Sequence, residues 1–352
     1  MSIYDELLKA TGPVALTIRE YLEPAQGADA VLFPATFASE ENSDEKPDYV
    51  IDEIERGGKK IKVALVDSVG SQANRIEPIF KRKPYAALIP RVTVRIGDRE
   101  TDLLDTGHRA ADAIVRLSDQ EAQFRKAFEA IRDSGQSWDL AQIAPTTIVF
   151  GGWDSRGTKV KLPRILGSVI RAWDVQRLNR KAQYFSVFEK EETEQLSEEF
   201  KIPSKGLSAE GLQDSPSGKS PGGVIAEGGV IREATLNLIV IRALVAETEE
   251  KTVKLQRYIL GLALVAFTAP AELFLREGCL LVQSEKGAEC KAVHRTGKRD
   301  KFELNEDKVL RFAEDAAKAF GVGAGISAVF EKERLGKAAE ARAAKKPKKD
   351  VK

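Results

Sequence analysis

Residues 145–173 read PTTIVFGGWDSRGTKVKLPRILGSVIRAW, and the division of this stretch into elements decides the fold. A short β-branched run, residues 146–150, ends in the turn Gly151-Gly152-Trp153 and predicts a strand. A short helix is predicted after it, over 162–172. The chain between them turns strongly basic. From Arg156 to Lys181 there are eight Lys or Arg residues, Lys159, Lys161, Arg164 and Arg171 among them, against one acid, Asp174. Glycines that let a backbone approach, an aromatic ring and clustered arginines suit a phosphate polymer.

That basic field is hidden in the totals. The 352 residues carry a net charge of only +1, with 42% hydrophobic residues, enough for a substantial core. Acidic segments at 40–55 and 189–199 balance a basic remainder. The two cysteines, Cys279 and Cys290, have no metal-ligand spacing around them. A reduced thiol pair is expected, with a disulfide left open by arithmetic alone. The start, MSIYDELLKATGP, lacks a secretory pattern, and the longest apolar run, Tyr258–Ala269, is too short for a bilayer. A cytoplasmic protein without membrane contact is expected.

Working outward from 145–173, a strand is predicted near 14–22 and a buried one at 61–67, IKVALVD. A brief helix follows, capped by Ser68–Ser71 and stopped by Pro78. Residues 85–96 suggest an extended piece, and 103–133 a helix with Arg109, Asp112 and Arg116 on its polar side. Residues 189–230, acidic and then rich in Gly, Ser and Pro, read as a mobile arm without a core of its own. Strands at 231–245, 278–284, 289–295 and 325–331 and helices at 253–269 and 305–320 complete the pattern. Strands and helices mix without strict alternation, so the fold class is α+β. The divisions are 1–188, the first part of a core with an acidic insertion near 38–58; 189–230, the arm; 231–331, the rest of the core; and 332–352, a disordered basic tail.

Catalytic chemistry is thinly represented. SGKS at 217–220 lacks the first glycine of a phosphate loop, which would fall at Gln213, and is followed by Pro221 where a helix should begin. GVGAG at 321–325 leads into a strand and serves better as a helix stop at Gly321. The histidines are His108 and His294 alone. His108 suits a phosphate contact or a general base, and no carboxylate or second base lies beside it by local spacing. The junction DSVGSQANRIE, 67–77, crowds Ser68, Ser71, Gln72, Asn74 and Arg75 at a strand-to-helix turn, where free N–H groups make an anion site. Trp153, Trp173, Tyr184 and Phe185 are candidates for base stacking; the core is the favoured place for Trp173 and the surface for Trp153.

Four blocks, VDSVGSQANRIEP, LLDTGHRAADAIVRL, FGGWDSRGTKVKLPRILGSVIRAWDV and GGVIAEGGVIREATLNL, occur in this order. Together they make the chain resemble the backbone subunit of type I-G (formerly I-U) CRISPR Cascade complexes, the Csb-one or Cas-seven family of the RAMP superfamily. The resemblance runs from about Leu16 to about Phe330. It implies an RRM-like, ferredoxin-like core with insertions and a thumb-like arm at 189–230. It also implies a non-catalytic helical filament of copies on a CRISPR RNA. Target DNA would be read through the guide. Other Cascade subunits and a recruited helicase-nuclease would be partners, with no cofactor or metal. Carried over position by position, the RNA-contacting residues would be Ser71, Gln72, Asn74, Arg75, His108, Arg109, Trp153, Ser155, Arg156, Arg164, Ser168 and Arg171. Gly151, Gly152, Gly228 and Gly229 would shape turns, with Gly152 beside the RNA, and the cluster adds Lys159 and Lys161. The alternative within the superfamily is a metal-independent endoribonuclease that processes the guide precursor with His108.

Overall fold

The computed structural model describes residues 2–38, 47–181, 183–216, 220–270 and 272–336. The SGK of 217–219, residues 39–46 of the first acidic segment and its flank, and the basic tail from 337 onward lie outside the described residues. The elements that matter for function are, in chain order, β1 (Ala15–Pro24), β2 (Ile51–Arg56), β3 (Lys59–Asp67), α1 (Val69–Ile76), α2 (Glu121–Ser134), α3 (Pro145–Phe150), β4 (Leu166–Trp173), β5 (Val175–Arg180), α4 (Lys190–Phe200), β6 (Ser220–Ala226), β7 (Val230–Asn237), α5 (Glu249–Thr268), β8 (Phe274–Arg276), β9 (Cys279–Val293), β10 (Arg299–Lys301) and α6 (Glu306–Phe320).

One eight-stranded sheet runs β8-β9-β1-β7-β4-β3-β2, with β10 on β9, and the pairings within it are antiparallel. Its middle four strands, β9-β1-β7-β4, are the fourth, first, third and second of their set in chain order. Helices fill the crossovers from β1 to β4 and from β7 to β9. That is the strand order of an RRM-like α+β core, and the fold class is α+β.

Alternation places the core. Along β1, Leu16, Ile18, Glu20 and Leu22 turn to the helical side, while Thr17, Arg19 and Tyr21 turn to the other. On the helical side α5 is apolar on every face from Tyr258 to Phe267, because it lies between the sheet and α6. Thr248 caps α5 by accepting the Lys251 N–H, and Gly261 permits the crossing with α6: a Cβ there would stand 2.9 Å from Ala313 Cα. Asn305 caps α6, and Gly321 closes it at φ +75°, the expected stop. A separate small sheet joins Ile326–Val329 to Val92–Ile96 in parallel.

Several expectations are corrected. Residues 162–172 are not a helix: β4 is a central strand whose burial alternates, with Leu166, Ser168, Ile170 and Ala172 inward. Residues 146–150 are not a strand but the buried helix α3, started by Pro145 and packed beside α5. The helix over 103–133 is broken; only α2 is long. Short turns occupy 103–116, where Asp112 caps Ala113–Arg116 instead of standing on a polar helix face. The strand over 231–245 stops at Asn237, whose side chain accepts the N–H groups of Ile239 and Val240 and starts a short helix. The two strands at 278–284 and 289–295 are one, β9, with a register shift opposite Glu20 and Leu22. Cys279 and Cys290 both stand on β9 as free thiols, each pushed up to about 11 by burial.

Residues 189–230 do carry secondary structure. The helix α4 opens with a capping box between Glu189 and Glu192, and β6 pairs with β5. The excursion therefore lies between the second and third strands of the core. Between 185 and 214, among the described residues, only Thr193 and Leu207 are buried, and Phe185, Val187, Phe188 and Phe200 are exposed.

Candidate nucleic-acid interface

The basic stretch folds into an ordered hairpin. Gly152–Trp153 pairs with Lys161–Leu162, and the buried Asp154 carboxylate shapes the loop between them. It accepts the N–H of Gly157 at 2.9 Å, the N–H of Thr158 at 2.6 Å and the Thr158 hydroxyl at 2.8 Å. With its one acid turned inward, the charged groups the hairpin shows solvent are all cations. Trp153 is 58% exposed with Lys161 Nζ 5.9 Å from its ring, and Arg156, Lys159 and Arg164 are exposed. Lys159 Nζ donates to the Ser155 carbonyl. Gly151, at φ +77°, lets α3 end directly against the return strand: a Cβ would lie 2.9 Å from Arg164 Cγ.

A cleft of about 550 Å³ adjoins the hairpin, with Val115, Phe124 and Phe128 in its floor. Arg116, Arg125, Arg132, Arg156 and Arg334 line it. Arg125 and Arg334 share Glu121, and Arg132 pairs with Asp133. Arg116 and Arg156 have no ion pair among the described residues. Four of these five arginines were missed in the sequence because they come from separate segments around α2 and from residue 334.

The junction 67–77 was read correctly as unusually polar, but its anion is internal. Asp67, fully buried at the end of β3, accepts from Ser71 Oγ (2.8 Å), Gln72 Nε2 (2.7 Å), Arg75 Nε (3.2 Å) and Arg276 Nη2 (3.0 Å). Gln72 Oε1 in turn accepts from Ser168 Oγ at 2.8 Å. Gln72 and Ser168, both expected at the RNA, are buried with these polar atoms engaged inside the protein. Ser71 and Arg75 remain partly exposed, with Arg75 Nη2 also held by the Leu275 carbonyl.

Arg109, also expected at the RNA, is likewise engaged inside the protein. It is buried, at φ +53°, with Nε 2.6 Å from Glu77 Oε2, further donor contacts to Asn74 Oδ1 and the Gly151 carbonyl, and the Phe150 ring 5.4 Å away. Arg109 thus ties α1 to the hairpin's first turn. Burial pushes the Glu77 carboxyl up to about 7, against the pull of the Arg109 guanidinium. Its neighbour His108 is exposed, as is Asn74.

The face of the sheet away from the helices holds a third group, which only strand register brings together. Tyr21 lies between Arg19 (5.6 Å) and Lys286 (5.7 Å), and Trp173 has Arg56 at 5.3 Å. Trp173 is therefore half-buried on this face and not in the core. Arg171 shares the face, 3.7 Å from Glu233. Of the other stacking candidates, Phe185 is exposed, and the side chain of Tyr184 lies outside the described residues. Among the described residues no group of three or more His, Cys, Asp or Glu could hold a metal, and no helix is long and apolar enough to cross a membrane.

Fold and surface together define an RRM-like α+β chain with a cationic, aromatic-bearing hairpin. Residues 16–177, just under half of the chain, match the family described as CRISPR-associated protein GSU0053. That match relates the chain to CRISPR-associated proteins. No curated protein matches it. Among solved structures, a chain titled "Type IV-B CRISPR Complex" aligns over 84% of this chain and 96% of its own, at 11% identity and a TM-score of 0.23. A likeness that loose carries no argument.

Proposed function

We propose that the protein is a non-catalytic, RNA-binding backbone subunit of a Cascade-type CRISPR complex, of the type I-G kind, acting in the cytoplasm. In this reading the hairpin 152–162 and the arginine cleft follow the phosphates of a CRISPR RNA. Exposed Trp153 stacks on a base, and the guide, not the protein, selects the target DNA. Copies of the chain assemble along the RNA, other Cascade subunits flank them, and a helicase-nuclease is recruited. The observation that carries the proposal is the hairpin itself, whose single acid is consumed in shaping the loop that presents Trp153, Arg156, Lys159 and Lys161. The match of residues 16–177 to a CRISPR-associated family supports it.

Salt titration of single-stranded RNA binding tests it. Arg156→Ala should lower the slope of log K against log salt by roughly 0.7, one phosphate contact on a single strand, with no change in melting temperature. Trp153→Ala should cost about 1–3 kcal/mol of binding and leave the slope alone. RNA recovered from either mixture should be full length, with or without EDTA. Wild-type affinity and slope in both variants would remove the hairpin from the interface.

A further inference from the structure

The sheet face away from the helices belongs to neither the hairpin nor the arginine cleft. The floor of that cleft, Val115, Phe124 and Phe128, is part of the core on the helical side. Residues 163–165 join the hairpin to the Leu166 end of β4, whereas Trp173 stands at the other end, about 24 Å along the strand. Strand register builds the face around this far end. Tyr21, Ile231, Arg171 and Leu65 are successive partners across β1, β7, β4 and β3. In the next row Trp173 stands opposite Val63, and Val63 opposite Asp52. Ile231 and Val63 are buried, yet neither packs into the core on the helical side.

Rings and cations occur on this face as neighbours. Tyr21 and Trp173 are half-buried and about 12 Å apart, two strand spacings across and two residues along. Arg19 and Lys286 flank the first ring, and Arg56 the second. None of these three cations has an ion pair among the described residues. The acids in the middle of the face are already engaged. Glu233 faces Arg171, and Glu289, opposite Arg19 in register, is bonded to Lys291. Glu23 and Asp52 stand at the margins. A free cation beside a ring offers a phosphate contact and a stacking surface together. Two such places about 12 Å apart suit separate units of one extended strand. A protein partner would have to bring acids to the three cations or bury them unpaired. We infer that this face binds a second single strand of nucleic acid, held at the same time as the RNA on the hairpin. Only the place of the first strand rests on the proposed function.

Calorimetric titration of the full chain at low salt with oligonucleotides of about six units, near the lower end of single-strand site sizes, tests this in RNA and DNA form. Two should bind per chain. Arg56→Ala combined with Lys286→Ala, both at exposed positions, should leave one, with the melting temperature unchanged. Trp153→Ala combined with Arg156→Ala should leave the other. In that second background Tyr21→Leu should weaken the remaining site about ten-fold without altering its salt slope, whereas Arg56→Ala should lower the slope by roughly 0.7. Comparison of the RNA and DNA forms at this site tells which kind of strand it prefers. A single site lost only with Arg56→Ala and Lys286→Ala would keep the inference and contradict the hairpin reading. One oligonucleotide per chain, lost with the hairpin variants alone, overturns the inference. So does one oligonucleotide weakened by both pairs of substitutions, which would mean one strand wrapping both surfaces. Loss of self-association, with both sites retained, in the Arg56→Ala and Lys286→Ala variant would overturn it too and give the face to a second copy of the chain.

Discussion

Arg109→Met is expected to lose about 3–5 kcal/mol of folding stability near pH 8 and much less near pH 5. The reason lies in Glu77, which is 1% exposed and faces the Arg109 guanidinium at 2.6 Å. Burial lifts the folded-state carboxyl from an ordinary 4.5 to about 7. A group raised on folding binds more protons in the folded state, so its stabilising contribution is full below 4.5 and is lost as pH rises through 7. Removing the arginine removes the force that holds this value down. At pH 5 the lone carboxyl is then neutral and tolerated; at pH 8 folding must bury a bare charge or hold its proton against solution. Glu77→Gln should flatten the pH dependence, leaving Arg109 with Asn74 and the Gly151 carbonyl. Urea denaturation at the two pH values measures both effects. Equal losses at pH 5 and pH 8 would mean that Glu77 is not the group left unpaired.

The second large effect belongs to Asp67. Asp67→Ala takes one carboxylate from four donors at once, two of them arginines from opposite ends of the chain, Arg75 and Arg276. Breaking a buried ion pair from one side costs about 3–5 kcal/mol, comparable with the whole margin of a typical domain. The variant should therefore be unfolded, or melt far below the wild type. Asp67→Asn should lose less, since its amide oxygen still accepts while its NH₂ meets donors. Circular dichroism melts of the two variants separate these outcomes. A wild-type melt for Asp67→Ala would show that the cluster does not hold α1 to the sheet.

Elements with one clear environment were legible in the sequence. The helix α5 declared itself by a long apolar run, the end of α6 by its closing glycine, and β3 by a short apolar run ended by polar residues. The stretch 145–173 was read the wrong way round for an equally physical reason. Thr146 to Phe150 favour strands locally, but in a six-residue helix buried on every side no amphipathic period survives, and tertiary packing overrides propensity. In β4, Leu166 and Ile170 are four apart, which suits a helix face as well as a strand face. The small Ser168 between them hid the alternation that burial makes plain.

The candidate site divides in the same way. The hairpin cations and Trp153 came from adjacent residues and could be found by counting charge. Gln72, Ser168 and Arg109 were correctly marked as unusual polar residues, yet their partners sit 96 residues away for one pair and 32 for another. A polar cluster looks the same in sequence whether its anion is a ligand or the protein's own carboxylate. Tyr21 between Arg19 and Lys286, and the arginines around α2, exist as groups only after the strands and helices are placed.

The most direct test of the RNA-binding account is a ribonuclease footprint of the purified protein on single-stranded RNA, taken across a salt titration with partner subunits present. The expected result is protection repeating at a regular interval, weakening as salt rises and lost first in a variant combining Trp153→Ala with Arg156→Ala. Unprotected RNA at low salt, or protection indifferent to salt and to both substitutions, would contradict it.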